Sequence, residues 1–211
     1  MRQFAALFPT PVYTMPVPDA ATLGRALQTA ILARRHDRQS VALSNLGGWQ
    51  SDKGMMDWGG EAARTLLDHA GALCRRVISG LDRTDGRLAW QPEMWANINE
   101  PGHSNQTHWH PGSFLSLVYY VDDGYGGSQD RALGGELVFV DPRMPYLRMR
   151  MPELRHAQAD GSVEEQETWV RPYSGLLIAF PSFLGHSVRP YAGSGQRVSI
   201  AINMVVTERA P

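Results

Sequence analysis

The sequence contains a single cysteine, Cys74, among its 211 residues. One cysteine cannot form an internal disulfide, and this excludes the small secreted domains that depend on disulfide bridges. Cys74 lies within a helical pattern of apolar residues, so we interpret it as a small buried residue. This cysteine usage is typical of a reducing compartment, and we expect a cytoplasmic protein.

A long apolar segment is also missing. No stretch approaches the roughly 20 consecutive apolar residues of a membrane-spanning helix. The first ten residues carry too short an apolar run for a secretory signal peptide. We therefore expect no membrane partner.

The charges of the sequence show no excess of either sign. The 20 Lys and Arg residues against 21 Asp and Glu residues give a net charge of -1. This balance supplies no general attraction to nucleic acid, so we expect no nucleic-acid partner. A small molecule and a protein side chain both stay open as substrates, and a monomer and a homo-oligomer are both compatible with the composition.

With 43% hydrophobic residues, the chain is long enough for one well-buried domain, and we predict a single domain over residues 1–211. Two apolar stripes at helical spacing predict an N-terminal helical layer at about 18–80, one with Leu23, Leu27 and Ile31 and one from about Gly60 to Ile78. Short apolar or alternating runs between Gly-rich and Pro-rich turns follow at about 87–207. They predict a mainly β fold, an antiparallel sandwich or barrel behind two helices.

Two histidines with one residue between them, His108 and His110, stand at the start of a β-prone run. In an extended segment their side chains point to one side, where imidazoles can share a transition metal. A third histidine, His186, follows the buried run Leu176–Phe180 and a Pro-containing turn. A polar imidazole after such an apolar run needs a partner if it is buried. The alternative for His108 and His110 is the polar face of an edge strand.

A further strand is predicted to carry a carboxylate-binding arginine. Alternation places Arg197, Ser199, Ala201 and Asn203 on one face and the intervening apolar residues on the other. A guanidinium can bind a carboxylate through two charge-assisted hydrogen bonds, and Ser199 can add a third. The alternative is a solvated strand face.

These motifs together resemble the 2-oxoglutarate/Fe(II)-dependent oxygenases. They are His108-x-His110, Gly134-Gly-Glu-Leu-Val-Phe139, Phe180-Pro-Ser, His186 and Arg197-x-Ser199. The signature Asn105-x-x-His108-x-His110-Pro-x-Ser113 is similar to that of a bacterial and phage branch. The resemblance implies a double-stranded β-helix, or jelly roll, buttressed by helices. It also implies Fe(II) held by His108 and His186, with 2-oxoglutarate bound by Arg197 and Ser199. The implied reaction is a hydroxylase-type oxidation of an unknown substrate with release of succinate and CO2.

The sequence departs from the family pattern at His110, where the superfamily usually has Asp or Glu. We favour His110 as a third metal ligand. It could instead contact substrate, or Glu136 or Asp141 could supply a displaced carboxylate, and the native metal stays open.

Four further side chains are predicted to line the pocket: Asn97, Asn99, Ser116 and Tyr119. Tyr119 and Tyr120 lie on opposite faces of one strand, so only one of them points inward. Two alternatives to a 2-oxoglutarate-dependent enzyme remain at this point. One is a three-histidine cupin-type metalloenzyme that does not use 2-oxoglutarate, and the other is a non-catalytic jelly-roll binding module.

Overall fold

A computed structural model describes residues 7–79, 88–143 and 153–208. Within these ranges the chain forms three α-helices, α1 (Ala20–Asp37), α2 (Met55–Trp58) and α3 (Gly60–Val77), and a short 3-10 helix at Arg131–Leu133. The strands are β1 (Tyr13–Pro16), β2 (Asn45–Leu46), β3 (Trp49–Gln50), β4 (Leu88–Asn99), β5 (Ser104–His108), β6 (Ser113–Asp122), β7 (Leu137–Val140), β8 (Glu167–Val170), β9 (Leu176–Pro181), β10 (His186–Val188) and β11 (Arg197–Glu208).

The strands form two antiparallel sheets, which confirms the predicted jelly roll. A major six-stranded sheet has the order β1-β9-β6-β11-β4-β3, and a minor five-stranded sheet has the order β2-β5-β10-β7-β8. No helix within the described ranges combines the length and apolar character needed to cross a bilayer.

The two long helices cover one face of the major sheet, as the apolar stripes predict. Leu27 and Ile31 of α1 and Leu66 of α3 are fully buried in one core cluster with residues of the major sheet such as Leu117 of β6 and Ala179 of β9. The short helix α2 was not predicted, since four residues are too few to show a periodicity.

The other face of the major sheet packs against the minor sheet in a second, smaller core. Its buried members come from both sheets: Tyr120, Leu137, Phe139, Leu176, Ile178, Phe180 and Leu184. The three predicted histidines, Arg197 and Ser199 line a cavity that Tyr120, Leu137 and Phe180 of this second core also line.

Candidate metal centre and cofactor pocket

Three histidines converge on one point between the sheets. His108 on β5 and His186 on β10 are direct partners in the antiparallel ladder, so their side chains lie side by side on one face. Their ring centroids are 4.3 Å apart, and the His110 ring lies 5.0 Å from each of them. One ring nitrogen from each of the three residues lies within 4.8 Å of the others. This spacing suits three ligands of a single transition metal.

Hydrogen bonds orient two of the imidazoles. Nδ1 of His108 lies 2.7 Å from the Gln106 carbonyl oxygen, and Nδ1 of His186 lies 2.9 Å from the Leu184 carbonyl oxygen. A carbonyl only accepts, so each Nδ1 carries the proton and each Nε2 keeps its lone pair for a metal. Neither ring nitrogen of His110 has a hydrogen-bond partner among the described residues.

The surroundings keep the imidazoles neutral. Burial and the neighbouring His108 lower the pKa of His186 to about 3. Burial, with contributions from His108 and Lys53, lowers the pKa of His110 to about 4, and burial also lowers the pKa of His108. Histidine binds a metal as neutral imidazole, so at neutral pH these side chains are in the ligating form.

The two carboxylates considered as displaced ligands lie elsewhere. Glu136 is buried with an oxygen 3.6 Å from Arg171 just after β8, and Asp141 accepts hydrogen bonds from Arg143. In the part of the chain that the structure describes, the only metal-compatible cluster consists of the three histidines.

The histidines open into a cavity of about 570 Å³ that also contains Arg197 and Ser199. Arg197 is 1% exposed, and its Nε and one terminal nitrogen have no hydrogen-bond partner. Its other terminal nitrogen donates to the Asn99 side-chain oxygen at 3.4 Å. Buried unpaired donors of this kind are costly unless an acceptor completes them, which is what a bound carboxylate does.

Tyr120 belongs to the same cavity, and the prediction of Tyr119 was wrong. Tyr120 is opposite Ser199 in the ladder between β6 and β11, whereas Tyr119 is opposite Ile200 and packs in the core beneath the helices. The Tyr120 hydroxyl is buried without a partner, and the Arg197 guanidinium carbon lies 5.0 Å from its ring. Burial raises the pKa of Tyr120, so this hydroxyl is a neutral donor.

The remaining predicted pocket residues divide between two positions. Asn97 and Ser116 line the cavity. Asn99 does not line it, because its side chain lies behind Arg197 and accepts the hydrogen bond described above. Sequence reasoning also missed Trp95 and Trp109, whose indoles line the outer part of the cavity.

His186 and Arg197 each begin a strand, but these two strands do not form a hairpin. β10 pairs with β5 and β7 in the minor sheet, while β11 pairs with β4 and β6 in the major sheet. The chain therefore crosses between sheets after Val188. This crossing places His186 and Arg197 on facing walls of the cavity.

The fold of this chain is similar to those of several proteins of known structure. A prolyl-4-hydroxylase from Pseudomonas putida has a TM-score of 0.63 and 21% identity, covering 95% of this chain and 94% of that chain. A prolyl hydroxylase from Trichoplax adhaerens, solved with a hypoxia-inducible factor peptide, has a TM-score of 0.63 and 15% identity, with 92% and 83% covered. HygX from Streptomyces hygroscopicus, solved with nickel, 2-oxoglutarate and hygromycin B, has a TM-score of 0.61 and 14% identity, with 93% and 83% covered.

A family model identifies the chain more directly. The search of curated protein sequences found no match to this chain. The model described as "Putative 2OG-Fe(II) oxygenase" matches residues 93–203, just over half of the sequence. This range begins at β4 and ends within β11, so it contains all three histidines, Arg197 and Ser199. The chain belongs to this family of 2-oxoglutarate/Fe(II) oxygenases, non-haem iron enzymes that use Fe(II) and 2-oxoglutarate.

Proposed function

We propose that His108, His110 and His186 bind the iron, and that Arg197, Ser199 and Tyr120 bind the distal carboxylate of 2-oxoglutarate. The enzyme would then oxidise an organic substrate in a hydroxylase-type reaction that releases succinate and CO2. The observation that carries this proposal is the pairing of a neutral three-histidine cluster with a buried, incompletely bonded arginine in one cavity.

The residues fit both groups. His108 and His186 each keep an Nε2 lone pair for a metal, and His110 would complete one facet of a coordination shell. Arg197 and Tyr120 provide three buried donors without partners, and a carboxylate is an acceptor with two oxygens. When bound, iron and 2-oxoglutarate supply the oxidising power for reaction with dioxygen.

The protein's own residues would position the reactants and exclude water. Phe180 lies with its ring centroid 4.8 Å from the His186 ring, and Leu137 and Val188 complete an apolar wall. An apolar wall beside the metal strengthens the electrostatic interactions inside the site and keeps solvent from the reacting atoms. The substrate would enter past Trp95 and Trp109.

Family membership favours this function over the two alternatives. In a three-histidine cupin-type enzyme, Arg197 would have no 2-oxoglutarate carboxylate to bind. A non-catalytic binding module would need no neutral histidine cluster. The solved neighbours include one with a peptide bound and one with hygromycin B bound, so peptides and small molecules both stay open as substrates. We propose that the enzyme acts in the cytoplasm, as its single buried cysteine indicates.

The test is anaerobic addition of Fe(II) and then 2-oxoglutarate to the metal-free protein. We expect a visible charge-transfer absorption that requires both additions. In Arg197→Gln the iron should still bind, but 2-oxoglutarate affinity should fall about 10- to 100-fold, since two charge-assisted hydrogen bonds are lost. Tyr120→Phe should cause a smaller loss, since it removes one neutral hydrogen bond.

Failure would have two recognisable forms. A protein that takes up no Fe(II) would contradict the proposed metal site. A protein that binds Fe(II) but shows equal 2-oxoglutarate affinity in wild type and Arg197→Gln would contradict the proposed co-substrate site. Turnover in Arg197→Ala without 2-oxoglutarate would favour the cupin-type alternative.

A further inference from the structure

The cavity contains the only lysine of the sequence. Of the 20 Lys and Arg residues in the chain, Lys53 is the single lysine, and every other member of that group is an arginine. Lys53 lies between β3 and α2 at the outer part of the cavity. Its backbone carbonyl accepts a hydrogen bond from the Met94 amide at 3.3 Å, which ties this segment to β4.

Lys53 and the proposed metal site are neighbours of the same tryptophan, Trp95. The centroid of the Trp95 ring lies 5.7 Å from the Lys53 Nζ and also 5.7 Å from the His110 ring. Lys53 and the third histidine therefore border the same indole. A substrate that packs against the Trp95 indole would therefore have Lys53 beside it.

The charges lining the cavity are unbalanced. Among the described residues that line it, Lys53 and Arg197 are cationic and none is Asp or Glu. The three histidines are neutral, so the proposed ligand set lacks the negative charge that a carboxylate ligand would add. Iron(II) and 2-oxoglutarate carry opposite charges of equal size, so loading both would leave the net charge of the lining unchanged, and Glu93, which pairs with Lys53, lies outside that lining.

The outer cavity also provides apolar surface. Trp95 is buried, while Trp109 is 54% exposed, and an added Cβ at Gly185 would lie 3.0 Å from the Trp109 indole. The Trp109 ring thus packs against the backbone at Gly185 and is held at the rim. Two indoles and one ammonium group can bind a molecule with an apolar body and an anionic end.

We propose that the substrate carries a carboxylate or phosphate group that binds Lys53, next to an apolar part that packs against Trp95 and Trp109. This inference rests on the proposed function, since it concerns the substrate of the same site. It makes Lys53 a specificity-determining residue.

Glu93 is the competitor for the lysine. Its carboxylate lies 2.6 Å from the Lys53 Nζ, but their side chains are 38% and 49% exposed, and ion pairs at such positions stabilise proteins little. Glu93 is also absent from the cavity lining. A substrate anion held beside the Trp95 ring can therefore replace Glu93 as the partner of Lys53.

The experiment measures binding of matched probes to the anaerobic protein loaded with Fe(II) and saturating 2-oxoglutarate. The probes are 3-phenylpropionate, its amide and 2-phenylethyl phosphate. Their binding is measured by the change in tryptophan fluorescence and in the charge-transfer absorption. We expect at least one anion to bind about tenfold or more tightly than the amide, as one charge-assisted hydrogen bond predicts. The two anionic probes distinguish a carboxylate substrate from a phosphate substrate.

Variants then test whether Lys53 causes the preference for the anionic probes over the amide. Lys53→Gln should abolish the preference for the anion, Lys53→Arg should keep most of it, and Glu93→Gln should strengthen it by releasing the lysine. Arg35→Gln is the matched control because Arg35 forms a similarly exposed pair with Glu100, at 2.9 Å, outside the cavity. It should bind all three probes as the wild type does.

The outcomes separate this inference from the proposed function. If the wild type shows the charge-transfer absorption but binds no anion more tightly than the amide, the inference about Lys53 is wrong and the proposed function stands. The inference about Lys53 is equally wrong if Lys53→Gln keeps the full preference for the anion. If the absorption never forms, the proposed function itself fails.

Discussion

The substitution of histidine for the usual carboxylate at position 110 changes the charge of the proposed iron site. Three neutral imidazoles leave the full charge of Fe(II) uncompensated until 2-oxoglutarate binds. His110 also differs from the other two histidines, because no hydrogen bond fixes its ring nitrogens within the described residues. At the scale of single residues, the proposed role of His110 as a third ligand is therefore the first to measure.

Replacing His110 tests its role as a ligand. His110→Ala should weaken Fe(II) binding by roughly tenfold or more, since even the loss of a residue that merely supports a ligand commonly costs that much. His110→Asp should restore binding to wild-type strength or above, because a carboxylate is an anionic ligand. Anaerobic Fe(II) titration measures both.

A histidine outside the cluster provides the control for these variants. His36→Ala, on the exposed C-terminal turn of α1, should bind iron as the wild type does. Equal Fe(II) affinity in His110→Ala and wild type would show that two histidines hold the metal alone.

The choice between Tyr119 and Tyr120 shows what the sequence could have predicted. Ser116 and Tyr120 are four residues apart on one strand and so share a face. The prediction that Ser116 lines the pocket therefore already implied Tyr120 and not Tyr119. Asn99 could not be placed in this way, because the contact with Arg197 depends on the register between β4 and β11.

At the scale of elements, the short strand β10 holds the site together. It pairs with β5 through His186 and His108, and with β7 through His186 and Phe139. The turn before β7 supports this arrangement, since Gly134 forms a bridge with Tyr191 just after β10. Gly134 has φ +60°, and a Cβ there would overlap the carbonyl oxygen of Pro190.

Gly134→Ala should therefore be strongly destabilising. We expect a loss of about 2–4 kcal/mol in the free energy of unfolding, from the left-handed backbone and the steric overlap together. Gly126→Ala is the matched control, because Gly126 has φ +58° with no atom near its missing Cβ, and should cost about 1–2 kcal/mol. Urea denaturation of both variants measures the difference, and equal losses would contradict the steric contribution.

Sequence periodicity predicted the elements better than it predicted their contacts. The apolar stripes of α1 and α3 and the alternation along β11 depend on local geometry and are confirmed. The pairing of His186 with His108 joins residues far apart in the sequence, and no local pattern encodes it. Only the family resemblance indicated that these two histidines meet.

At the scale of the whole molecule, the metal-free protein should lose stability in mild acid. The unfolded chain protonates its histidines near pH 6.5. The folded protein keeps His186 and His110 neutral, since burial, with a contribution from the neighbouring His108, lowers their pKa values to about 3 and about 4. Between these folded-state values and pH 6.5, the unfolded state thus binds more protons than the folded state. The free energy of unfolding therefore falls as the pH drops below 6.5.

The contribution of His186 alone is up to about 1.4 kcal/mol per pH unit in that range. Urea denaturation of chelator-treated protein at pH 7, 6 and 5 should show the decline. His186→Gln should have a flatter profile, whereas the exposed His36→Gln should keep the wild-type slope. A wild-type profile without slope between pH 7 and 5 would contradict the expectation.

The solitary lysine also has a practical consequence for handling the protein. Apart from the amino terminus, the sequence offers amine-reactive dyes, cross-linkers and sensor surfaces a single attachment point, which lines the cavity proposed to bind the substrate. Coupling through that amine would obstruct the entrance and could be mistaken for an inactive preparation. Immobilisation through an engineered tag would keep the entrance open.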